Sequence, residues 1–290
     1  MGLCNYGKSN LPQIFLKSKY SSLSMSKKLQ AVSYLAPNWF EFYKAVLVDL
    51  GRVLGVETQL IQGKRDALED PMLLQDELDL AFICGLPLIR HFQVAPNQLQ
   101  TLVAPVMQAS RYQNLPIYFS DVIVNATSNL VTFADLGGKI MCYNDVGSNS
   151  GYNLLYHRLI EGGYSKNFFG QAIESGSHQR SIRWVVDGLA DCAAIDSVVL
   201  AQELRDFPDL STHLRVVEAL GPSPMPPLVV AQRLGISLIQ QMQLTLLQPD
   251  AELQAAMAQV GIQRFAAVEL EQYGELLKWY HDIDVKKYGE

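Results

Sequence analysis

The sequence predicts a two-lobed α/β protein in which each lobe is a mostly parallel sheet flanked by helices. Short apolar runs of strand length alternate with amphipathic runs of helical period along residues 29–231, and this alternation is typical of strand–helix–strand units. Two proline-containing breaks, near 108–116 and at 221–227, interrupt the alternation. Two breaks indicate that the chain crosses between the lobes twice.

The individual elements follow from the hydrophobic period and from helix-end signals. Gly55 suits the left-handed position after a helix end, and Asn38 is the expected N-cap of the same helix. The almost unbroken apolar run 78–83 is typical of a strand buried on both faces. Strands are predicted at 29–34, 57–61, 78–83, 99–106, 117–125, 140–143, 192–195, 214–220 and 228–231. Helices are predicted at 39–54, from Pro87, at 150–161, 177–187 and 198–205, and over most of 236–280.

The proline run at 221–227 is expected to be a crossing segment, because proline lacks an N–H and fixes φ, which excludes it from helices and central strands. Together with the earlier break it divides the chain into two lobes. Lobe 1 is discontinuous and comprises residues 29–112 and 228–290, and lobe 2 is inserted as residues 113–227. Residues 1–28 are expected to form a flexible N-terminal tail.

Composition and cysteine spacing restrict the class of function. The chain has 290 residues, 49% of them hydrophobic, with a net charge of −6, which argues against a nucleic-acid surface but leaves a small anionic ligand open. Cys4, Cys84, Cys142 and Cys192 show no metal-binding spacing and are expected to be free thiols. Without a P-loop, a Rossmann fingerprint or zinc spacing, neither a metal nor a cofactor is expected.

The N-terminal residues bear on localisation. The apolar run 11–16 is short and is broken by Pro12 and Gln13, so it does not fit a signal peptide. As written, the sequence therefore predicts a cytoplasmic protein. It predicts a periplasmic one if the true start or an export signal lies elsewhere, and Met25 is an alternative start.

Two polar segments of lobe 2 predict an anion site. Gly-Ser-Asn-Ser-Gly-Tyr at 147–152 and Ser-Gly-Ser-His at 175–178 lie where loops open helices, and a helix start offers unpaired N–H groups and a partial positive charge. Both segments would face the cleft between the lobes. The candidate donors to an oxyanion are Ser148, Asn149, Ser150 and a neutral His178.

These segments also carry a family resemblance. The series YFSDVIV at 118–124, DLGGK at 135–139, SNSGY at 148–152, SGSH at 175–178 and ADCAAID at 190–196 resembles the phosphonate/phosphate/phosphite substrate-binding proteins of ABC importers. The resemblance extends from about 29 to 280. It implies a type II periplasmic-binding-protein fold without catalysis that holds a small phosphorus oxyanion between its lobes, with an ABC permease as partner.

The resemblance assigns roles to single residues. Ser148, Asn149 and Ser150 occupy the turn that supplies hydroxyls and backbone N–H groups to the phosphorus oxygens, with Asn149 in place of the usual Thr. His178 matches the family histidine that donates to the same oxyanion.

Two further residues have both a ligand role and a simpler one. Asp196 lies near where the family places an acidic or polar residue close to the distal part of the ligand, but it could serve only as the N-cap of the next helix. Tyr34 lies in the first-strand loop, from which lobe 1 sends an aromatic or polar group, but it could be only a packed aromatic.

Two departures from the family pattern concern the ligand. Leu86-Pro87-Leu88 stands where the family often has a tyrosine. Met225-Pro226-Pro227 stands where binders of amino-phosphonates tend to carry an acid. The second departure favours an unsubstituted or apolar ligand.

Other classes of function remain open at this stage. Ser148, His178 and Asp196 could be combined into a catalytic triad, but no G-x-S-x-G turn marks a nucleophile, so no catalytic residue is expected. The missing signal peptide favours a cytosolic enzyme of the same fold, such as a cofactor-biosynthesis enzyme acting on a small carboxylate. A ligand sensor that acts through a partner protein is the third alternative.

Overall fold

The computed structural model describes residues 28–64 and 66–288, and their side chains up to residue 283. The predicted tail lies outside the described residues as far as position 27. The strands are β1 (Leu29–Ser33), β2 (Thr58–Gln62), β3 (Leu80–Phe82), β4 (Leu99–Met107), β5 (Ile117–Asn125), β6 (Ile140–Tyr143), β7 (Gln171–Glu174), β8 (Cys192–Asp196), β9 (Leu214–Pro224), β10 (Leu228–Ala231) and β11 (Ile262–Ala267). The α-helices are α1 (Phe40–Leu54), α2 (Pro71–Leu74), α3 (Gly85–Val94), α4 (Leu154–Glu161), α5 (His178–Val186), α6 (Ser197–Asp206), α7 (Leu210–His213), α8 (Ile236–Leu247), α9 (Ala251–Gln259) and α10 (Gly274–Tyr288).

The strands form two sheets, which confirms the two-lobed α/β prediction. One sheet has six strands in the order β11-β4-β10-β3-β1-β2, and the other has five in the order β7-β6-β8-β5-β9. We call the six-stranded sheet with its helices lobe 1 and the other lobe 2. The lobe boundaries at 112/113 and 227/228 stay a prediction.

Both sheets are mixed, so the expectation that each is mostly parallel is corrected. β1 pairs in parallel with β2 and β3, and β6 with β7 and β8, whereas β10, β11, β5 and β9 form antiparallel pairs. The reason lies in the connections. β5, β9 and β10 flank the crossings between the sheets, so no crossover helix fixes their direction.

The proline run differs in part from its prediction as a crossing segment. β9 continues through Gly221 and the cis Pro222 to Pro224, and only residues 225–227 connect it to β10. β9 tolerates these prolines because it is an edge strand that pairs with β5 alone, so half of its backbone N–H groups have no ladder partner to lose.

Two edge strands are missing from the predicted elements. β11 (Ile262–Ala267) lies inside the region predicted to be helical, and β7 (Gln171–Glu174) lies in a segment with no predicted element. Each pairs with a single neighbour, and each buries few side chains. Their sequences therefore lack the apolar run that identifies the central strands.

Helix α1 ends where the sequence predicts, but the predicted N-cap is wrong. Gly55 follows its last residue with φ of 67°, the left-handed geometry that the sequence predicts. Asn38 is not the N-cap. Its Nδ2 instead donates across the cleft to the backbone oxygen of Val199 at 3.2 Å and to Oε1 of Glu203 at 3.3 Å.

A C-terminal helix lies against both lobes. α10 contacts α3 of lobe 1 and α4 of lobe 2, and the ring of Trp279 lies 4.9 Å from that of His157 on α4. Cys84, Cys142 and Cys192 are free thiols, as predicted, and Cys4 lies outside the described residues.

Candidate functional site

A cavity of about 540 Å³ lies between the two lobes and is lined by residues of both. Lobe 1 supplies the β1–α1 connection, part of α1 and the end of β3. Lobe 2 supplies the turn before α4 and the starts of α5 and α6. Among the cavity-lining residues are five of the six candidates from the sequence: Tyr34, Ser148, Ser150, His178 and Asp196.

The serine turn is capped by Ser148 and is anchored to β5. Residues Asn149–Asn153 form a π-helical turn that leads into α4, and Ser148 caps it by accepting the N–H of Gly151 at 3.1 Å. The backbone oxygen of Ser150 accepts from the hydroxyl of Ser120 at 2.6 Å, which anchors the turn to β5. The turn thus keeps its N-terminal end directed towards the cavity.

His178 starts α5 and touches the serine turn. Ser177 caps the helix by accepting the N–H of Arg180 at 3.2 Å, and Nε2 of His178 lies 3.1 Å from Oγ of Ser150. Burial lowers the pKa of His178 to about 4, so the imidazole is neutral at pH 7. Nδ1 has no hydrogen-bond partner within residues 28–64 and 66–288. When the Ser150 hydroxyl donates to Nε2, Nδ1 carries the ring proton and can donate it to an anion.

Gly151 allows this close approach. A Cβ at position 151 would overlap Oδ1 of Asn144 and lie 3.2 Å from Cε1 of His178. A side chain at this position would displace the amide of Asn144 and would press on the imidazole of His178. The glycine of the SNSGY segment therefore has a steric reason that the sequence pattern does not reveal.

The side chain of Asn149 turns away from the cavity. Its exposed fraction is 0%, its Nδ2 donates to Oη of Tyr118 at 2.7 Å and to Oγ of Ser223 at 3.0 Å, and its Oδ1 accepts from Nδ2 of Asn153 at 3.1 Å. These bonds tie the turn to β5 and β9. Asn149 is accordingly absent from the residues that line the cavity.

Asp196 caps α6 and also lines the cavity. Its Oδ1 accepts the N–H groups of Val198 at 2.8 Å and Val199 at 3.4 Å. Burial raises the pKa of this carboxyl to about 7. The capping role that the sequence offered as the simpler alternative is therefore present, and the second oxygen remains for a contact inside the cavity.

Tyr34, Arg111 and Arg180 are engaged with protein groups. The hydroxyl of Tyr34 donates to Asp70 at 2.8 Å, although the ring lines the cavity. Arg111 forms a two-bond ion pair with Asp121 at 2.7 and 2.9 Å, and Arg180 donates to the backbone oxygen of Ser175 at 2.7 Å. The arginine guanidinium groups are thus committed to structural contacts.

The structure adds cavity residues that sequence reasoning missed. Cys84 lies at the start of α3 between the backbone N–H groups of Leu86 and Asn149, and burial raises its pKa to about 11. A set of aromatic residues lines the lobe 1 side: Trp39, Phe42, Tyr43, Phe82 and Phe265. Their hydrophobic spacing is that of ordinary core residues, so no signal in the sequence separates them from the core.

The possible catalytic triad is not assembled. Ser148 bonds the N–H of Gly151, and Asp196 bonds the start of α6. His178 uses Nε2 for Ser150, while its Nδ1 lacks the carboxylate partner of a triad in the part of the chain that the structure describes. In the described part of the chain, His178 is therefore not oriented by a carboxylate as the general base of a triad is.

The chain shares its fold with solved proteins. It is similar to PhnD1 from Prochlorococcus marinus in complex with methylphosphonate, with a TM-score of 0.77 and 18% identity over 89% of this chain and 98% of the other. It is similar to a binding-protein component of an ABC phosphonate transporter from Pseudomonas aeruginosa, with a TM-score of 0.75 and 17% identity over 90% and 89%. It is also similar to XAC2383 from Xanthomonas citri bound to ATP, with a TM-score of 0.67 and 16% identity over 91% and 100%. At these identities the likeness shows the periplasmic-binding-protein fold.

Comparison of the sequence with known families shows which family the chain belongs to. Curated proteins give no match to this chain. A family model described as the periplasmic phosphonate substrate-binding protein of ABC transporters matches residues 33–273, far more than half of the chain. The family is one of transport proteins, which favours the binding reading over the biosynthetic enzyme. The chain belongs to the family of periplasmic substrate-binding proteins of phosphonate ABC transporters.

Proposed function

We propose that this protein captures a small phosphorus oxyanion, namely a phosphonate, phosphite or phosphate, in the cavity between its lobes and delivers it to an ABC permease. The observation that carries the proposal is the contact between Ser150 and His178. It places a hydroxyl and a neutral imidazole with a free Nδ1 beside the turn that opens α4. Charge-assisted hydrogen bonds from such donors suit an oxyanion.

Two helix starts support the same assignment. α5 begins at His178 and α6 at Ser197, and both present their positive ends to the cavity together with the serine turn. The ligand would then contact Ser148, Ser150 and His178 through their side chains, and Asn149 would position the turn through its bonds to Tyr118 and Ser223. Asp196 and Tyr34 would contact its distal part.

Closure of the lobes would complete the site. Residues 108–116 and 225–227 connect the sheets and would act as the hinge, so that a ligand touching both lobes shifts the protein towards its closed form. No helix in the described residues is both long and apolar enough to span a bilayer. We infer the periplasm as the site of action, as for the family as a whole.

The test is calorimetric titration of the full chain with methylphosphonate, phosphite, phosphate, sulfate and acetate. We expect saturable binding of a phosphorus oxyanion that weakens at least tenfold in both Ser150→Ala and His178→Ala. Ser211→Ala, which changes an exposed serine on α7, is the control and should bind as the unmodified chain does. Binding of acetate in preference to every phosphorus oxyanion would support the alternative, an enzyme acting on a carboxylate.

A further inference from the structure

We infer that the ligand carries an apolar, uncharged substituent larger than a methyl group, with an aryl group as the best fit, on a single oxyanion head group. This inference rests on the proposed function and specifies the ligand of the same cavity. It follows from the juxtaposition of a donor-rich wall in lobe 2 with an aromatic wall in lobe 1.

The cavity is larger than a small oxyanion requires. Methylphosphonate has five non-hydrogen atoms and fills on the order of 150 Å³ if each takes the volume of a liquid water molecule. The cavity measures about 540 Å³, within the range of about 300–1,000 Å³ that drug-sized ligands occupy. A small oxyanion bound at the serine turn would leave most of this space unfilled.

The wall of the cavity opposite the serine turn is aromatic. Five aromatic residues of lobe 1 line the cavity: Trp39, Phe42, Tyr43, Phe82 and Phe265. They form one continuous surface, since the rings of Tyr43 and Phe82 stack at 4.2 Å and those of Phe42 and Phe265 at 6.2 Å. Each ring is at most 5% exposed, so the surface is fixed by core packing. Such a wall favours apolar or aromatic carbon.

The connection between the lobes extends this apolar wall. Met225 and Pro226 also line the cavity, and Met225 is buried. A thioether and a pyrrolidine ring carry no charge that would pair with an ammonium group. The side of the cavity at the hinge therefore adds to the apolar wall.

The distribution of charge limits the head group to one oxyanion. Lys64 is the single lysine or arginine along the cavity within the described chain, and it is exposed at the rim together with Asp66, Glu69 and Glu174. A ligand with several phosphates would bring its extra charges against these carboxylates. Asp145 and Asp196 are the less exposed carboxyls of the lining. Burial raises the pKa of Asp145 to about 6 and that of Asp196 to about 7. Near neutral pH Asp145 therefore adds to the negative charge that opposes a second phosphate, whereas a large fraction of Asp196 is protonated.

The test compares dissociation constants of the full chain for methylphosphonate, phenylphosphonate, benzylphosphonate and 2-aminoethylphosphonate. We expect phenylphosphonate or benzylphosphonate to bind at least tenfold more tightly than methylphosphonate, which corresponds to 1.4 kcal/mol. Equal or weaker binding of both aryl ligands would overturn the inference, and so would tightest binding of the 2-aminoethyl ligand. If none of the four binds but phosphate or phosphite does, the inference fails and the proposed function stands; if no phosphorus oxyanion binds, the proposed function itself fails.

A pair of variants links the preference to the wall. Phe265→Leu shortens the aromatic surface and should lower the ratio of aryl to methyl affinity at least threefold. Phe133→Leu is the matched control, because Phe133 is equally buried and stacks on Phe168 in the core of lobe 2. It should leave the ratio as it is. An unchanged ratio in Phe265→Leu, with both variants folded by circular dichroism, would contradict the role of the wall.

Discussion

Oγ of Ser150 and Nε2 of His178 lie 3.1 Å apart, although 28 positions separate the two residues in the chain. The contact joins the turn before α4 to the first residue of α5. It also fixes the imidazole in a buried position where the neutral form is favoured. The stability of the protein should therefore depend on pH through this histidine.

The first prediction concerns that dependence. The pKa of His178 is about 4 in the folded chain and 6.5 as its ordinary value, so the unfolded chain binds the proton more readily. The stability contribution of the neutral ring is fully present above pH 6.5 and is lost as the pH falls through 4. Relative to His178→Asn, the unmodified chain should lose up to about 3 kcal/mol of unfolding free energy between pH 7 and pH 4. Urea unfolding at both pH values measures the difference.

A control and a contradictory outcome complete this test. His213→Asn removes an exposed histidine from the end of α7 and tests for a general effect of removing an imidazole. A difference between the unmodified chain and His178→Asn that stays constant from pH 7 to pH 4 would contradict the buried neutral imidazole.

The second prediction concerns Gly151. Gly151→Ala places a methyl group against Oδ1 of Asn144 and near Cε1 of His178, so the variant should lose the Ser150–His178 contact and bind methylphosphonate at least tenfold more weakly. Gly274→Ala is the control, since nothing lies within 4 Å of its added Cβ and its φ of −60° suits alanine. Equal affinity in Gly151→Ala and the unmodified chain would show that the turn adapts.

The third prediction concerns the contribution of the Asn149 side chain to stability. Asn149→Ala removes the bonds to Tyr118, Ser223 and Asn153 and leaves their polar atoms buried. We expect a loss of about 3 kcal/mol of unfolding free energy. Asn97→Ala, in an exposed turn, should change it by less than about 0.5 kcal/mol. Equal unfolding free energies of the two variants would mean that the buried amide of Asn149 contributes little to stability.

The fourth prediction uses the carboxyl of Asp196. Its pKa is about 7 in the folded chain and 3.8 as its ordinary value, so its stability contribution is present below pH 3.8 and is lost as the pH rises through 7. Asp196→Asn keeps an oxygen for the N–H of Val198 but has no proton to lose. The variant should gain stability relative to the unmodified chain as the pH rises from 5 to 8. A relative loss over this range would show that a cation pairs with the carboxylate.

The fifth prediction concerns the bonds between the lobes. Asn38 donates to Val199 and Glu203 across the cleft, so Asn38→Ala removes two bonds that hold the lobes together, and we expect these bonds to persist when the lobes close on a ligand. Affinity for methylphosphonate should fall about tenfold, and small-angle scattering should show less compaction on binding. Glu203→Gln keeps an acceptor oxygen at this position, so its affinity for methylphosphonate should fall by less than that of Asn38→Ala. Equal affinity of Asn38→Ala and the unmodified chain would mean that these bonds do not affect closure.

The sequence by itself determined the elements whose signals are local. The strand at 117–125 and the helix that ends at Gly55 follow from hydrophobic period and backbone preference, and the serine turn follows from its position before a helix. These features depend on hydrogen bonds and burial patterns within a few residues. The family resemblance rests on the same local motifs.

The tertiary structure alone decided the remaining features. Edge strands such as β11 exist because a neighbouring strand supplies their hydrogen bonds, and the apolar pattern of an edge strand is weak. The orientation of Asn149 depends on Tyr118 and Ser223, which are 31 and 74 positions away. The contact of Ser150 with His178 arises from packing within lobe 2, and the aromatic wall opposite it arises from packing within lobe 1. Such contacts between distant parts of the chain leave no periodic or local signal in the sequence.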